Sequence, residues 1–81
     1  MTETQAKEKA ESLRKDAGVP DGFALESAAK RYIELSEETP NGGYLVRDVL
    51  VWIARFAKQN SFWEFAIDDT TGLVVRTQKT R

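Results

Sequence analysis

Cysteine and histidine are both missing from this chain. Without cysteine there is no disulfide framework, no thiol nucleophile and no thiolate ligand for a metal. Without histidine the commonest acid–base catalyst and a main ligand of transition metals are gone as well. Charge of one sign is also lacking: twelve basic and thirteen acidic residues leave a net −1, so no overall field draws the protein to nucleic acid or to an acidic surface. No apolar run is long enough to span a bilayer. The opening MTETQAKEKAESLRKDAG has no apolar stretch of the secretory kind, so the chain reads as cytoplasmic. No glycine-rich phosphate loop follows a strand, which leaves nucleotide binding without a motif and no cofactor to expect.

What is present is one small domain of 81 residues with a single modest core to build. Charge is mildly uneven: residues 1–43 carry six bases and nine acids, and residues 44–81 six bases and four acids. The organising stretch runs from Val49 to Gln78, reading VLVWIARFA, KQNS, FWEFAI, DDTTG and LVVRTQ. Three apolar runs separated by two turn-like pieces predict a three-stranded antiparallel meander. A four-residue loop at Lys58–Ser61 sets Ala57 opposite Phe62 and Arg55 opposite Glu64. A five-residue loop at Asp68–Gly72 sets Ile67 opposite Leu73 and Glu64 opposite Arg76. Gly72 then takes a positive φ, and Asp68 or Asp69 bonds the turn backbone.

These registers place Arg55, Glu64 and Arg76 in one row and sort the strands into two faces. Leu50, Trp52, Ala54, Phe56, Trp63, Phe65, Ile67, Leu73, Val75 and Thr77 form a core face. The outer face takes Val49, Val51, Ile53, Ala57, Phe62, Ala66 and Val74 around the charged row, with Gln78 at its end. The first strand has a rival reading, since Val46, Val49, Leu50, Ile53, Phe56 and Ala57 also form a helical stripe. Strand is preferred because Val49, Val51 and Ile53 are β-branched and Trp52 and Phe56 aromatic.

Upstream, residues 3–17 read as a helix with a Thr2–Gln5 capping box, Glu3–Lys7 and Glu11–Lys15 pairs, and a stop at Gly18 with Val19 touching Leu13. Its stripe of Ala6, Ala10, Leu13 and Ala17 is thin, which makes it a peripheral, largely solvated helix. Val19-Pro20-Asp21-Gly22 is a turn. A second helix is predicted from about Phe23 to Ser36, because Leu25, Ala28, Ala29, Tyr32 and Ile33 recur at helical spacing; it should lie across Trp52, Trp63 and Phe65. Residues 37–43 read as a loop, residues 44–48 as a possible extension of the first strand, and residues 79–81 as a tail.

Chemistry has few places to sit. Asp68 and Asp69 in DDTTG read as turn residues and not as a calcium loop, whose further oxygen ligands are absent. Glu64, between Trp63 and Phe65, stands between two arginines in the expected register, which reads as structural, and has no second titratable group to work with. No enzyme, metal site or cofactor is expected. With only Phe62 among the aromatics turned outward and the arginines balanced, nucleic acid is not expected either. The outer face is the feature that calls for a partner, because monomers seldom expose such a field of apolar side chains.

The segment FWEFAIDDTTGLVVR resembles the end of a PepSY-type domain, on Asp68, Thr71, Gly72, Val74 and Val75. The resemblance covers about residues 24–78. It implies a helix followed by a three-stranded meander, and a role of the inhibitory or chaperoning kind toward peptidases.

The expected fold is therefore α+β, a peripheral helix over 1–18 and then a helix-plus-meander core over 21–78. The expected function is that of a non-catalytic protein-binding module, an inhibitor or immunity-type protein, acting through Val51, Ile53, Arg55, Phe62, Glu64, Val74 and Arg76. A structural homodimer is the alternative, and an enzyme or hydrolase accessory the third.

Overall fold

The computed structural model describes residues 1–79. One helix, α1 (Glu3–Leu13), precedes four strands: β1 (Ala24–Glu38), β2 (Tyr44–Lys58), β3 (Ser61–Asp68) and β4 (Val74–Lys79). The strands form a single antiparallel sheet in the order β1-β2-β3-β4. The expectation of two helices and three strands is overturned. Residues 24–78 hold four strands and no helix, so the helix-then-meander order implied by the PepSY resemblance is not found there.

The second helix fails because its pattern fits two periods. Leu25, Ala28, Ala29, Tyr32 and Ile33 follow a helical spacing, but Ala29, Ile33 and Leu35 also share one side of a strand. Context decides between them. β2 is apolar on both faces and needs a neighbour along its far edge, and β1 supplies fourteen paired positions from Ala24↔Ala57 to Glu38↔Tyr44, with one bulge at Glu26. Residues 44–48 do extend β2, and Glu37 and Glu38 belong to β1 and not to the loop.

The place expected for the second helix is taken by α1. Its capping box forms, with Gln5 N–H donating to Thr2 Oγ1 at 3.2 Å and Thr2 N–H to Gln5 Oε1 at 2.8 Å. The chain leaves the helix through a Schellman stop: Val19 N–H bonds Arg14 C=O at 2.9 Å, Gly18 N–H bonds Lys15 C=O at 3.1 Å, and Gly18 takes φ 83°. Glu3 pairs with Lys7 as expected, while Glu11 pairs with Arg14 rather than Lys15. The thin stripe is the means of docking and not a weakness. Ala6 and Ala10 are completely buried, Ala6 against Ala28 and Trp52, and Ala10 against Val19, Ala54, Phe56, Phe65 and Ile67. Alanine brings the helix backbone close to the sheet, and Leu13, Ala17, Phe23, Leu25 and Trp63 close the margins. Phe56 and Phe65 stack with ring centres 5.6 Å apart, and the Arg14 guanidinium lies 4.7 Å above Phe56.

The β2–β3 register is as expected, with Ala57↔Phe62 and Arg55↔Glu64, although Lys58↔Ser61 also pairs and only Gln59 and Asn60 turn the chain. The β3–β4 register is not. Asp68 Oδ1 accepts from Thr70 N–H and Thr71 N–H, Gly72 N–H bonds Asp68 C=O, and Gly72 takes φ 73°. Asp68 N–H then bonds Leu73 C=O, which makes the loop one residue shorter than expected. A bulge at Val75 shifts the pairing by one further residue in the same direction. The result is Ala66↔Arg76 and Glu64↔Gln78, so Arg76 leaves the row, and Val74 stands opposite Ile67 while Val75 joins the outer face. Lys79 closes β4; the rest of the expected tail lies outside the described residues.

Beyond Val51, which faces the last residue of β3, β1 and β2 continue as a two-stranded arm. The arm coils over the outer face. Val75 of β4 packs on the cluster of Val49, Val51 and Ala66, which Ile33, Leu35 and Ile53 also join. Arg76 Nη2 donates to the Glu34 carbonyl at 3.0 Å. Strands lie ~4.8 Å apart in a sheet, so β1 and β4 could not meet this way if the sheet were flat. The hairpin closes with Thr39 N–H on Gly43 C=O, and by strict alternation the even residues of β1 turn their backbone polar groups away from β2. Arg76 thus reaches the outer margin of β1.

Candidate docking surface

The coiling divides the seven residues expected to meet a partner. Val51 is fully buried, in the small second core. Ile53, Arg55, Phe62 and Glu64 are half-buried on the outer face, and Arg76 is exposed on it. Val74 lies across the bulge from them, 37% exposed. The outer face is therefore no open apolar field. It is a concave surface with a groove of about 360 Å³ lined by Ser27, Ala29, Arg31, Ile53, Arg55 and Glu64. A second recess of about 40 Å³ adjoins it, sharing Ile53 and Glu64 and bounded by Arg76 and Gln78.

Arg55 is held from three sides. Its Nη1 stands 3.9 Å from Glu64 Oε2, its Nε 3.5 Å from Glu26 Oε2, and its guanidinium lies 4.2 Å over the Phe62 ring. Nε is buried without a hydrogen bond. Arg31, at the opposite wall, makes no ion pair among the described residues. Two arginines thus line one groove, which Ser27, Ala29, Ile53 and the Glu64 carboxylate complete. Arg31, Ser27 and Ala29 were missed from sequence because they sit on β1; their alternation at every second position was the available signal. Among the described residues no group of three metal-ligating side chains comes together, and no helix is long and apolar enough to cross a membrane.

On the helix side, Trp52 Nε1–H donates to Asp69 Oδ1 at 2.7 Å, with the Met1 amine 3.4 Å away. The Trp52 bond, aided by the amine and by the charge of Lys30, holds the Asp69 carboxyl below its ordinary 3.8. This carboxylate ties the β3–β4 loop to the centre of the sheet and is structural.

No family model, curated protein or solved structure matches the chain.

Proposed function

We infer that the protein is a non-catalytic protein-binding module, of the kind that inhibits or shields its target, and that it docks through the concave outer face. The observation that carries this reading is the groove between Arg31 and Arg55, where one guanidinium has no carboxylate partner and the other is only loosely shared. A groove with two such arginines and the small side chains Ser27 and Ala29 between its walls suits a partner that presents a carboxylate side chain flanked by small residues. A charge-assisted hydrogen bond of that kind contributes about 1.5–3 kcal/mol. Glu64 on the wall rejects acidic partners that approach out of register, which gives orientation.

The reading is tested by titrating the isotope-labelled chain with a capped Ala-Glu-Ala peptide and its Ala-Gln-Ala counterpart. Backbone shifts at residues 27–31, 53–55 and 64 are expected with the first peptide only, and Arg31→Gln should weaken binding ~10-fold or more. Equal responses to both peptides, or shifts scattered over the surface, would remove the groove as a docking site.

A further inference from the structure

We propose that the convex face of the β1–β2 arm is a second docking surface, built to take a basic segment of a partner protein. This surface lies on the opposite side of the arm from the arginine groove, and does not depend on it.

The register defines the surface. On the convex side the successive rungs of the arm are Tyr32↔Leu50, Glu34↔Asp48, Ser36↔Val46 and Glu38↔Tyr44. α1 does not reach them, since it packs on Ala28, Trp52 and the residues beyond. Tyr32, Tyr44 and Val46 are 73%, 74% and 56% exposed, so the rungs form a stripe of aromatic and aliphatic surface open to solvent. A two-stranded ribbon gains nothing from leaving such side chains uncovered.

Charge identifies the occupant. Glu34 and Asp48 face one another directly across the strands, and like charges so placed destabilise a sheet. Neither has an ion pair among the described residues, and neither does Glu38. The bases nearby are committed elsewhere: Arg47 pairs with Glu37 at 2.9 Å on the other face, Lys30 lies over the Trp52 ring, and Arg76 binds the Glu34 carbonyl from the concave side. The opposed acids thus make a gap that a lysine or arginine from outside would fill. Exposed tyrosine faces to either side add cation–π contact for the same side chains. An apolar residue between two basic ones would sit on Val46 and Leu50. The match of an unrelieved acid pair, two tyrosines and an aliphatic strip points to a protein segment with alternating basic and apolar residues.

The test uses the full chain and a capped Arg-Leu-Arg peptide, with a Cit-Leu-Cit control in which citrulline removes the charge. Binding is read by backbone shifts at low ionic strength, and folding by urea denaturation. The arginine peptide should shift Tyr32, Glu34, Val46 and Asp48, and the control should not. Glu34→Gln should weaken binding several-fold while raising the urea midpoint of the free chain, because it relieves the opposed acids. Glu8→Gln on α1 changes net charge equally and should leave binding unchanged. Equal weakening by Glu8→Gln and Glu34→Gln would mean general attraction only, and would overturn the proposal. So would a Glu34→Gln chain that is less stable than the parent, since the acids would then be a structural asset.

Discussion

Truncating Val51 to alanine measures the coiling of the arm directly. Val51 points to the face that carries no helix, yet it is completely buried among Val49, Ala66, Ile33, Ile53 and Val75. Val51→Ala removes two carbons, worth about 1.6 kcal/mol of transfer free energy at ~0.8 per buried carbon, and the unfilled space brings the cost to about 2–3 kcal/mol. Val46→Ala, on the same strand and half exposed, loses the same β preference of up to ~1 kcal/mol but little packing. The difference between the two should be about 1.5–2 kcal/mol. A domain of this length has a total stability of about 4–12 kcal/mol at the usual ~0.05–0.15 per residue, so both variants remain folded. Urea denaturation followed by tryptophan fluorescence reads the difference as a midpoint displaced by ~1 M, given a slope of ~1–3 kcal/mol per M, with the slope itself unchanged. In heating experiments the Val51 variant should melt ~10 °C below the parent. If Val51→Ala costs no more than Val46→Ala, the arm does not close over that face, and the second core of Val49, Val51 and Ala66 is not packed as described.

Two further outcomes follow from the geometry. Because the Asp69 pKa is depressed in the folded state, chiefly by the Trp52 N–H, its contribution is fully present above the ordinary carboxylate range and is lost as pH falls toward the depressed value. Asp69→Asn should therefore flatten the acid limb of a melting-temperature profile, and an unchanged limb would dissociate Asp69 from acid unfolding. In the second case, Glu64→Lys should destabilise and Arg55→Glu should partly restore stability. The coupling should be about 0.2–1 kcal/mol, since the groups stand 3.9 Å apart and partly in water. Simple additivity of the two substitutions by urea titration would show that they do not interact.

Local signals were legible wherever a specific hydrogen bond enforced them. The Thr2–Gln5 box, the stop at Gly18 and the positive φ of Gly72 follow from residues that satisfy named backbone groups, and the Arg55↔Glu64 register follows from the short link between two apolar runs. β1 was not legible, because alanine at 24, 28 and 29 suits either a helix or a tightly packed strand, and only β2's need for a neighbour decides. The bulge at Val75 has no glycine to announce it. It is fixed by the length of the Asp68 turn on one side and by Val75 entering the second core on the other. The candidate surface divides the same way. Ile53, Arg55, Phe62 and Glu64 could be grouped from the β2–β3 hairpin alone, whereas Arg31 required knowing that residues 24–38 are extended, and the burial of Val51 required knowing that the arm coils.

The bond from Arg76 to the Glu34 carbonyl has a consequence for solubility. A fifteen-residue border strand with one side unpaired invites a foreign chain to zip onto it and then another onto that. A guanidinium seated on one of its outward carbonyls interrupts the row that such an intruder would have to match. The same side chain that holds the arm down thus also occupies one of the acceptors that an added strand would need.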